Sequence, residues 1–320
     1  MKKLVLLVML AMITGFSYAQ DPEFSQFFAS PLYLNPAFAG SVRCPRIVLN
    51  YRDQWPNMPG TFVTYAVSYD QYVSSFNGGL GLLVWKDDAG SGTMKTTNIS
   101  GIYAYQLNVN REFTINAGFQ ASYMQKSLDW SKLTFGDQID PRYGFVYTTQ
   151  EIQNRSSNSF LDLSAGVVGY TSEFYGGIAV NHLTQPSEGF IVMTTPLPMK
   201  ITAHIGAYIP LDDSRRNSSF ISPNLLVQFQ QSFQQYNFGL YVAHGPLTGG
   251  LWYRFSPTNG DAIIAMVGLQ ADMFKFGYSY DITVSGLANY SGGAHEVSLG
   301  YQFDCHPRKR RFHTLKCPAF

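Results

Sequence analysis

The side chains that could bind a metal or act as nucleophiles and proton carriers are few, and no catalytic motif joins them. They are six histidines and three cysteines, namely His182, His204, His244, His295, His306, His313, Cys44, Cys305 and Cys317. No two histidines have the HExxH spacing of a zinc protease, and the chain lacks a Cys-x-x-Cys pair, a Gly-x-Ser-x-Gly elbow and a phosphate-binding loop. The sequence therefore predicts no catalytic residues, no metal site and no cofactor, and the protein is not expected to be an enzyme.

Three of the histidines require a choice between structure and chemistry. His204 and His244 fall in predicted strands, where a histidine held by its neighbours is favoured over a metal ligand because no paired ligands accompany it. His295 and Glu296 look like an acid–base pair, but adjacent strand residues point to opposite faces. A structural role at the start of a strand is therefore expected for them.

The composition points to an all-β protein. Of the 320 residues, 13% are charged and 15% are aromatic, and this aromatic content excludes a disordered chain. The longest apolar run, Leu4 to Ala11 with its neighbours, is far shorter than the ~20 residues of a transmembrane helix. The remaining classes are a secreted all-β protein and an outer-membrane barrel.

Segments of roughly ten residues with alternating polarity repeat along the chain. In the last of them, Val297 and Leu299 lie on one face of a predicted strand, opposite Glu296 and Ser298. We count fourteen such segments, at about 46–54, 62–71, 78–87, 96–108, 112–126, 160–171, 174–183, 199–210, 219–231, 234–244, 247–256, 262–272, 274–284 and 295–304. Their length fits a tilted bilayer crossing, and their second face is small and polar rather than charged. The sequence thus predicts a transmembrane antiparallel β-barrel of about 14 strands over residues 45–304.

The two ends of the chain indicate the compartment. Residues 1–19 resemble a signal peptide, with Lys2 and Lys3, an apolar stretch and Ala19 before the cleavage site, which predicts export to the outer membrane. Without those lysines, 20 basic residues face 21 acidic ones, a formal charge of −1 that indicates no nucleic-acid partner. Long loops follow odd strands and short turns mostly follow even ones, which predicts periplasmic N- and C-termini.

Residues 20–44 are apolar and aromatic but do not alternate. Two structures fit this pattern equally well. One is a plug inside the barrel, which fourteen strands leave room for, and the other is a periplasmic strap under the barrel.

The tail, residues 305–320, carries four consecutive basic residues, Arg308, Lys309, Arg310 and Arg311, which are candidates for binding a periplasmic partner. An oxidising compartment permits a disulfide, and three cysteines leave one unpaired. All three pairings are open, and a bridge from Cys317 to Cys44 or to Cys305 is favoured.

Several blocks of the sequence resemble the PorP/SprF family. They are Pro22–Phe28 (PEFSQFF), Leu34–Gly40 (LNPAFAG), Tyr51–Trp55 (YRDQW) with Pro59-Gly60, Gly177–Pro186 (GIAVNHLTQP) and Gly293–Leu299 (GAHEVSL). The resemblance runs in order from about residue 21 to the C-terminus.

This resemblance implies an outer-membrane β-barrel of the type IX secretion system of Bacteroidota. Such proteins accompany the secretion and surface attachment of large adhesins, including gliding adhesins. The implied partners are the C-terminal domain of an adhesin and periplasmic peptidoglycan-binding or ring lipoproteins, in addition to outer-membrane lipids. The residues alone leave an alternative function open, a passive porin or hydrophobic-solute channel.

Overall fold

The computed structural model describes residues 21–304 apart from 152–154, 191–194, 212–218, 258, 287 and 289. Among these residues, fourteen strands form a closed antiparallel barrel, in which strands that follow each other in sequence are paired and the first strand pairs with the last. The predicted barrel and its strand number are therefore confirmed.

The strands are numbered here in chain order. They are β1 (Arg46–Gln54), β2 (Phe62–Val73), β3 (Gly78–Ala89), β4 (Met94–Asn108), β5 (Thr114–Leu128), β6 (Ser157–Tyr170), β7 (Phe174–Asn181), β8 (Lys200–Ala207), β9 (Ser219–Gln230), β10 (Phe233–His244), β11 (Leu247–Ser256), β12 (Asn259–Ala271), β13 (Phe274–Thr283) and β14 (Ala294–Gln302).

The seam between the first and last strands closes the barrel. Arg46 is opposite Gln302 at one end of this seam, and Gln54 is opposite Ala294 at the other. Closure leaves no strand edge unpaired, as a bilayer requires, because lipid offers no hydrogen bonds to a free edge.

The wall is apolar outside and polar inside. Outward side chains such as Phe238 and Leu251 are exposed, whereas inward ones such as Asn237 and Ser100 are buried. The alternation predicted for the last strand is confirmed, because Glu296 and Ser298 are buried and Leu299 is exposed. This distribution is the reverse of that in a water-soluble protein and suits a wall surrounded by lipid.

Residues 21–41, called the plug below, lie inside the barrel. They form three short helical turns, Phe27–Ala29, Pro31–Leu34 and Pro36–Phe38, and most of their side chains are buried. Burial on every side explains why this segment is apolar without alternating. None of the helices among the described residues is long and apolar enough to cross a membrane.

The plug runs from one end of the barrel to the other. The loop opening is the end that carries residues 55–61, 129–156, 182–199 and 284–293, and the turn opening is the opposite end. At the loop opening the Asp21 amide is 3.4 Å from Gln230 Oε1, whereas at the turn opening the Phe303 amide donates to the Pro45 carbonyl over 2.9 Å. The first and last described residues therefore lie at opposite openings, and the predicted periplasmic location of both termini stays a prediction.

The inside-out wall gives a first prediction. Replacing Leu251, which lies in the middle of β11 and is 60% exposed, by Arg should lower the free energy of unfolding by about 2–4 kcal/mol, because the charge enters the bilayer centre. Val109 is similarly exposed but lies in the short turn after β4, and Val109→Arg should cost less than about 1 kcal/mol. Urea unfolding in lipid vesicles measures both, and equal losses would contradict the assignment of the lipid-facing band.

Candidate functional site: the plugged lumen

Four charged side chains form the centre of the interface between plug and wall. Arg52 of β1 binds Asp281 of β13 (2.9 Å) and Glu296 of β14 (3.3 Å), and Arg254 of β11 binds the same Asp281 oxygen (3.0 Å). All four are at least 95% buried. Each occupies an inward position of its strand, so closing the seam between β1 and β14 brings them together.

The plug binds this cluster through Ser25 and Gln26. The Glu296 carboxylate accepts hydrogen bonds from the backbone amides of Ser25 (2.6 Å) and Gln26 (3.1 Å). The Ser25 hydroxyl donates to Asp281 (2.6 Å) and accepts from Arg52 (2.6 Å) and Arg254 (2.8 Å). Buried charges require this degree of pairing, because each unpaired ion would cost several kcal/mol of desolvation free energy.

A second anchor lies near the turn opening. Arg46 and Asp70 form a two-pronged ion pair, with distances of 2.9 and 3.1 Å, and Asp70 also accepts from the Gly40 amide over 2.9 Å. Glycines in the wall allow the plug backbone to approach closely in this region, because they have no side chain. A Cβ on Gly118 would lie 2.4 Å from the Ala37 amide nitrogen, closer than real Cβ atoms approach.

The third anchor holds the first described residue of the plug. His182, which directly follows β7, lies 2.8 Å from Asp21 through Nε2 and 2.8 Å from Asp162 through Nδ1. Burial alone lowers the pKa of His182, but the two carboxylates raise it to about 9. Burial raises the pKa of Asp21, and the charge of His182 outweighs this and lowers it. The pair is therefore ionised at neutral pH.

Aromatic contacts fill the space between the polar anchors. Phe27 packs on Trp252 at 4.9 Å between ring centroids, and Phe28 packs edge-on against Tyr175 at 5.6 Å. His204 stacks on Phe38 at 5.3 Å, with Nε2 3.4 Å from Asn35 Nδ2, so neighbouring side chains of the plug hold it. Among the described residues, no group of three or more His, Cys, Asp or Glu side chains is arranged to hold a metal ion.

Three cavities between plug and wall are small. Cavities of about 20 Å³ lie beside Phe28 and beside Lys200, and one of about 30 Å³ lies beside His182. Each has room for about one or two water molecules. The geometry thus describes a filled lumen that can hold a peptide segment.

The predicted site residues lie mostly elsewhere. Cys305, Cys317 and the basic residues Arg308 to Arg311 are outside the described residues. Cys44 follows the plug at the turn opening and is disulfide-bonded, and which of the other two cysteines pairs with it stays a prediction. The signal peptide, residues 1–19, also lies outside the described part. His244 is the last residue of β10, exposed, with Nδ1 2.8 Å from Ser219 Oγ.

The sequence did not identify the charged cluster or the anchor at His182. A signal was present, because an Arg, an Asp or a Glu on the polar face of a strand must find a partner in a lumen. The blocks that carry the family resemblance also meet here. Ser25 and Gln26 belong to the first block, Arg52 to the third and Glu296 to the last.

The chain matches the model of one protein family. The model of a family described as "Type IX secretion system membrane protein PorP/SprF" matches residues 16–301. A comparison with curated proteins gives no match.

Three solved structures are among those to which the chain is similar. The CymD monoaromatic hydrocarbon channel is 12% identical, with a TM-score of 0.45, over 87% of this chain and 94% of that chain. The TodX deltaS2S3 mutant monoaromatic hydrocarbon channel is 11% identical, with a TM-score of 0.42, over 84% and 92%. A mutant porin of Rh. blastica is 8% identical, with a TM-score of 0.35, over 81% and 99%. At these identities the similarities carry no information about function.

Crowding at Gly118 gives a second prediction. Gly118→Val should lower the free energy of unfolding by about 1–3 kcal/mol and expose residues 21–40 to protease, because the new side chain overlaps the plug backbone. Gly101, on neighbouring β4, has open space where a Cβ would lie, so Gly101→Val should change stability by less than about 0.5 kcal/mol. Timed proteolysis of the folded barrel, with equal cleavage in both variants, would show that the plug does not rest against Gly118.

The anchor at His182 gives a third prediction, a pH dependence. The pKa of His182 is raised on folding, so its stabilising effect is complete below its unfolded value of about 6.5 and is lost as the pH rises through about 9. The thermal midpoint of the folded barrel should fall between pH 7 and pH 10, and His182→Gln should remove most of this fall. His244→Gln, at the opposite opening, serves as the control and should keep it; a His182→Gln profile parallel to the wild type would refute the assignment.

Proposed function

Because the chain belongs to the PorP/SprF family of type IX secretion system membrane proteins, we propose that it is an outer-membrane component of that system which docks or anchors a secreted adhesin. Its partners are the C-terminal domain of the adhesin at one opening and periplasmic peptidoglycan-binding or ring lipoproteins at the other. The protein is exported by a cleaved signal peptide in a member of the Bacteroidota, and it acts by binding rather than by catalysis.

The filled lumen is the observation that carries this proposal. A passive pore needs a continuous water path, whereas the lumenal cavities described above are about 20–30 Å³ each. A barrel that fills its own interior fits a role as a rigid platform in the membrane, with binding surfaces at its openings. The rival function, a passive porin or hydrophobic-solute channel, requires the plug to leave.

The longest loop, residues 129–156, supports docking at the loop opening. It contains a small hairpin, Ile139–Asp140 paired with Gly144–Phe145, and the Asp140 carboxylate accepts from the Arg142 and Tyr143 amides over 2.7 and 3.0 Å. This internally bonded loop exposes Tyr143 (77%) and Phe145 (62%). Exposed aromatic side chains on an ordered loop are typical of protein-binding surfaces.

The orientation follows from the loops. In outer-membrane barrels the long loops are external and the short turns periplasmic, which would place the loop opening at the cell surface. In this orientation β14, which precedes Arg308 to Arg311 in the sequence, ends at the turn opening, on the side where periplasmic lipoproteins and peptidoglycan are found.

Adhesin capture gives a fourth prediction. The double variant Tyr143→Ser with Phe145→Ser should reduce co-purification of a large surface protein from detergent-solubilised envelopes about tenfold, because it removes the exposed aromatic contacts. Phe174→Ser provides the control, since Phe174 is 59% exposed but lies at the turn opening. Undiminished capture by the double variant would remove the loop from the interface.

A conductance measurement separates the two functions. Purified wild-type protein in a planar bilayer should show little steady conductance, since the plug fills the lumen. Steady pores of uniform conductance, with no surface protein co-purifying, would favour the passive channel instead.

A further inference from the structure

Side chains of the barrel wall bind the plug largely through the backbone amides and carbonyls of the plug. Glu296 accepts from the Ser25 and Gln26 amides, Asp70 accepts from the Gly40 amide, and Asn116 Nδ2 donates to the Ala37 carbonyl over 3.2 Å. Asn50 Nδ2 also donates to the Ala29 carbonyl over 3.5 Å. Every polypeptide offers such groups, so these contacts do not depend on the plug's covalent link to the barrel.

A smaller set of contacts depends on the side chains of the plug and on their order in the sequence. The position of Ser25 needs a hydroxyl, because it must donate to Asp281 and accept from two guanidinium groups. The next position needs an amide, since Gln26 Nε2 donates to the Glu296 carbonyl (3.0 Å) and its Oε1 accepts from the Ser298 hydroxyl (2.6 Å). Phe27 and Phe28 then pack on Trp252 and Tyr175. The wall therefore selects a hydroxyl, an amide and two aromatic rings.

The formal charges of the central cluster balance without the plug. Arg52 and Arg254 carry two positive charges, and Asp281 and Glu296 carry two negative ones, all joined by the ion pairs described above. From Phe24 to Gly40 the plug has no charged side chain. Removing this segment would leave the four ions of this cluster paired with one another, so the stretch from Phe24 to Gly40 is a neutral ligand for the cluster.

The plug also has the geometry of a segment that can leave. Within the described residues, its covalent link to the barrel is the continuation into β1 at the turn opening, and its other attachments are non-covalent. The connection contains Gly40 and Arg43, both with positive φ (65° and 66°), and Gly40 adopts this conformation without strain.

From these observations we propose that the lumen is a peptide-binding site. Its ligand is an uncharged segment that presents a hydroxyl, an amide and two aromatic side chains in sequence. The plug occupies the site in the isolated barrel, and a segment of another polypeptide with the same chemistry occupies it when the plug has left. This site is additional to the adhesin-docking role and does not depend on it.

The test uses the barrel lacking residues 21–40 and a fluorescent synthetic peptide of the uncharged residues 24–40. The shortened barrel should conduct ions steadily in a planar bilayer, and the peptide should close it and bind saturably by fluorescence anisotropy. A peptide with Ser25→Ala should bind at least tenfold more weakly, since its hydroxyl contacts three charged groups. Ser30→Ala is the matched control and should bind like the parent peptide, because Ser30 lies outside the charged cluster.

A second variant covers the case in which the shortened barrel does not fold. A protease site inserted between Ser41 and Val42 allows the plug to be cut in the folded full-length barrel, after which labelled peptide should exchange into the lumen. Equal binding of a scrambled peptide, equal binding of the Ser25→Ala peptide, or no exchange after complete cleavage would each overturn the proposal. Adhesin capture by the uncut protein is a separate measurement and can fail or succeed independently.

Discussion

The ion pairs of Arg52 and Arg254 with Asp281 and Glu296 are the interaction on which the interior depends. A fourteen-strand wall encloses more space than its own inward side chains fill, and lipid outside prevents the wall from collapsing onto an apolar core. In this molecule the charged inward side chains need partners, and the plug fills the space that the wall leaves. The ion pairs supply those partners, and by fixing Ser25 the charged cluster positions the plug.

The wall could be predicted from the sequence, because the alternation of polar and apolar residues that specifies it is visible within each short segment. Two successive residues of β14, Glu296 and Val297, already show which face is which, and every strand repeats the same alternation. Strand number and closure follow from counting. Bounds differed by a few residues where both faces are similar, as in β12, which begins at Asn259 rather than at about residue 262.

The contacts inside the barrel could not be predicted, because they join residues that are far apart in the sequence. Arg52 and Glu296 are separated by 244 positions, and Asp21 meets His182 from 161 positions away, so no short-range pattern joins them. The plug has no periodicity, because a segment buried on all sides has no polar face. The orientation of the plug in the barrel could not be predicted either, because it depends on where Asp21 is bound. The family blocks marked the right residues without showing that they touch.

The position of Glu296 on the last strand has a consequence for how the molecule is made. The plug precedes β1 in the chain, yet its principal partner is supplied by the strand that is synthesised last and that closes the ring against β1. The site that binds the Ser25 and Gln26 amides is therefore complete only when β14 is in place. Closure of the barrel and binding of the plug are then linked, because both depend on β14. A chain that is truncated before β14 would therefore lack both the pairing that closes the barrel and the Glu296 carboxylate that binds the plug.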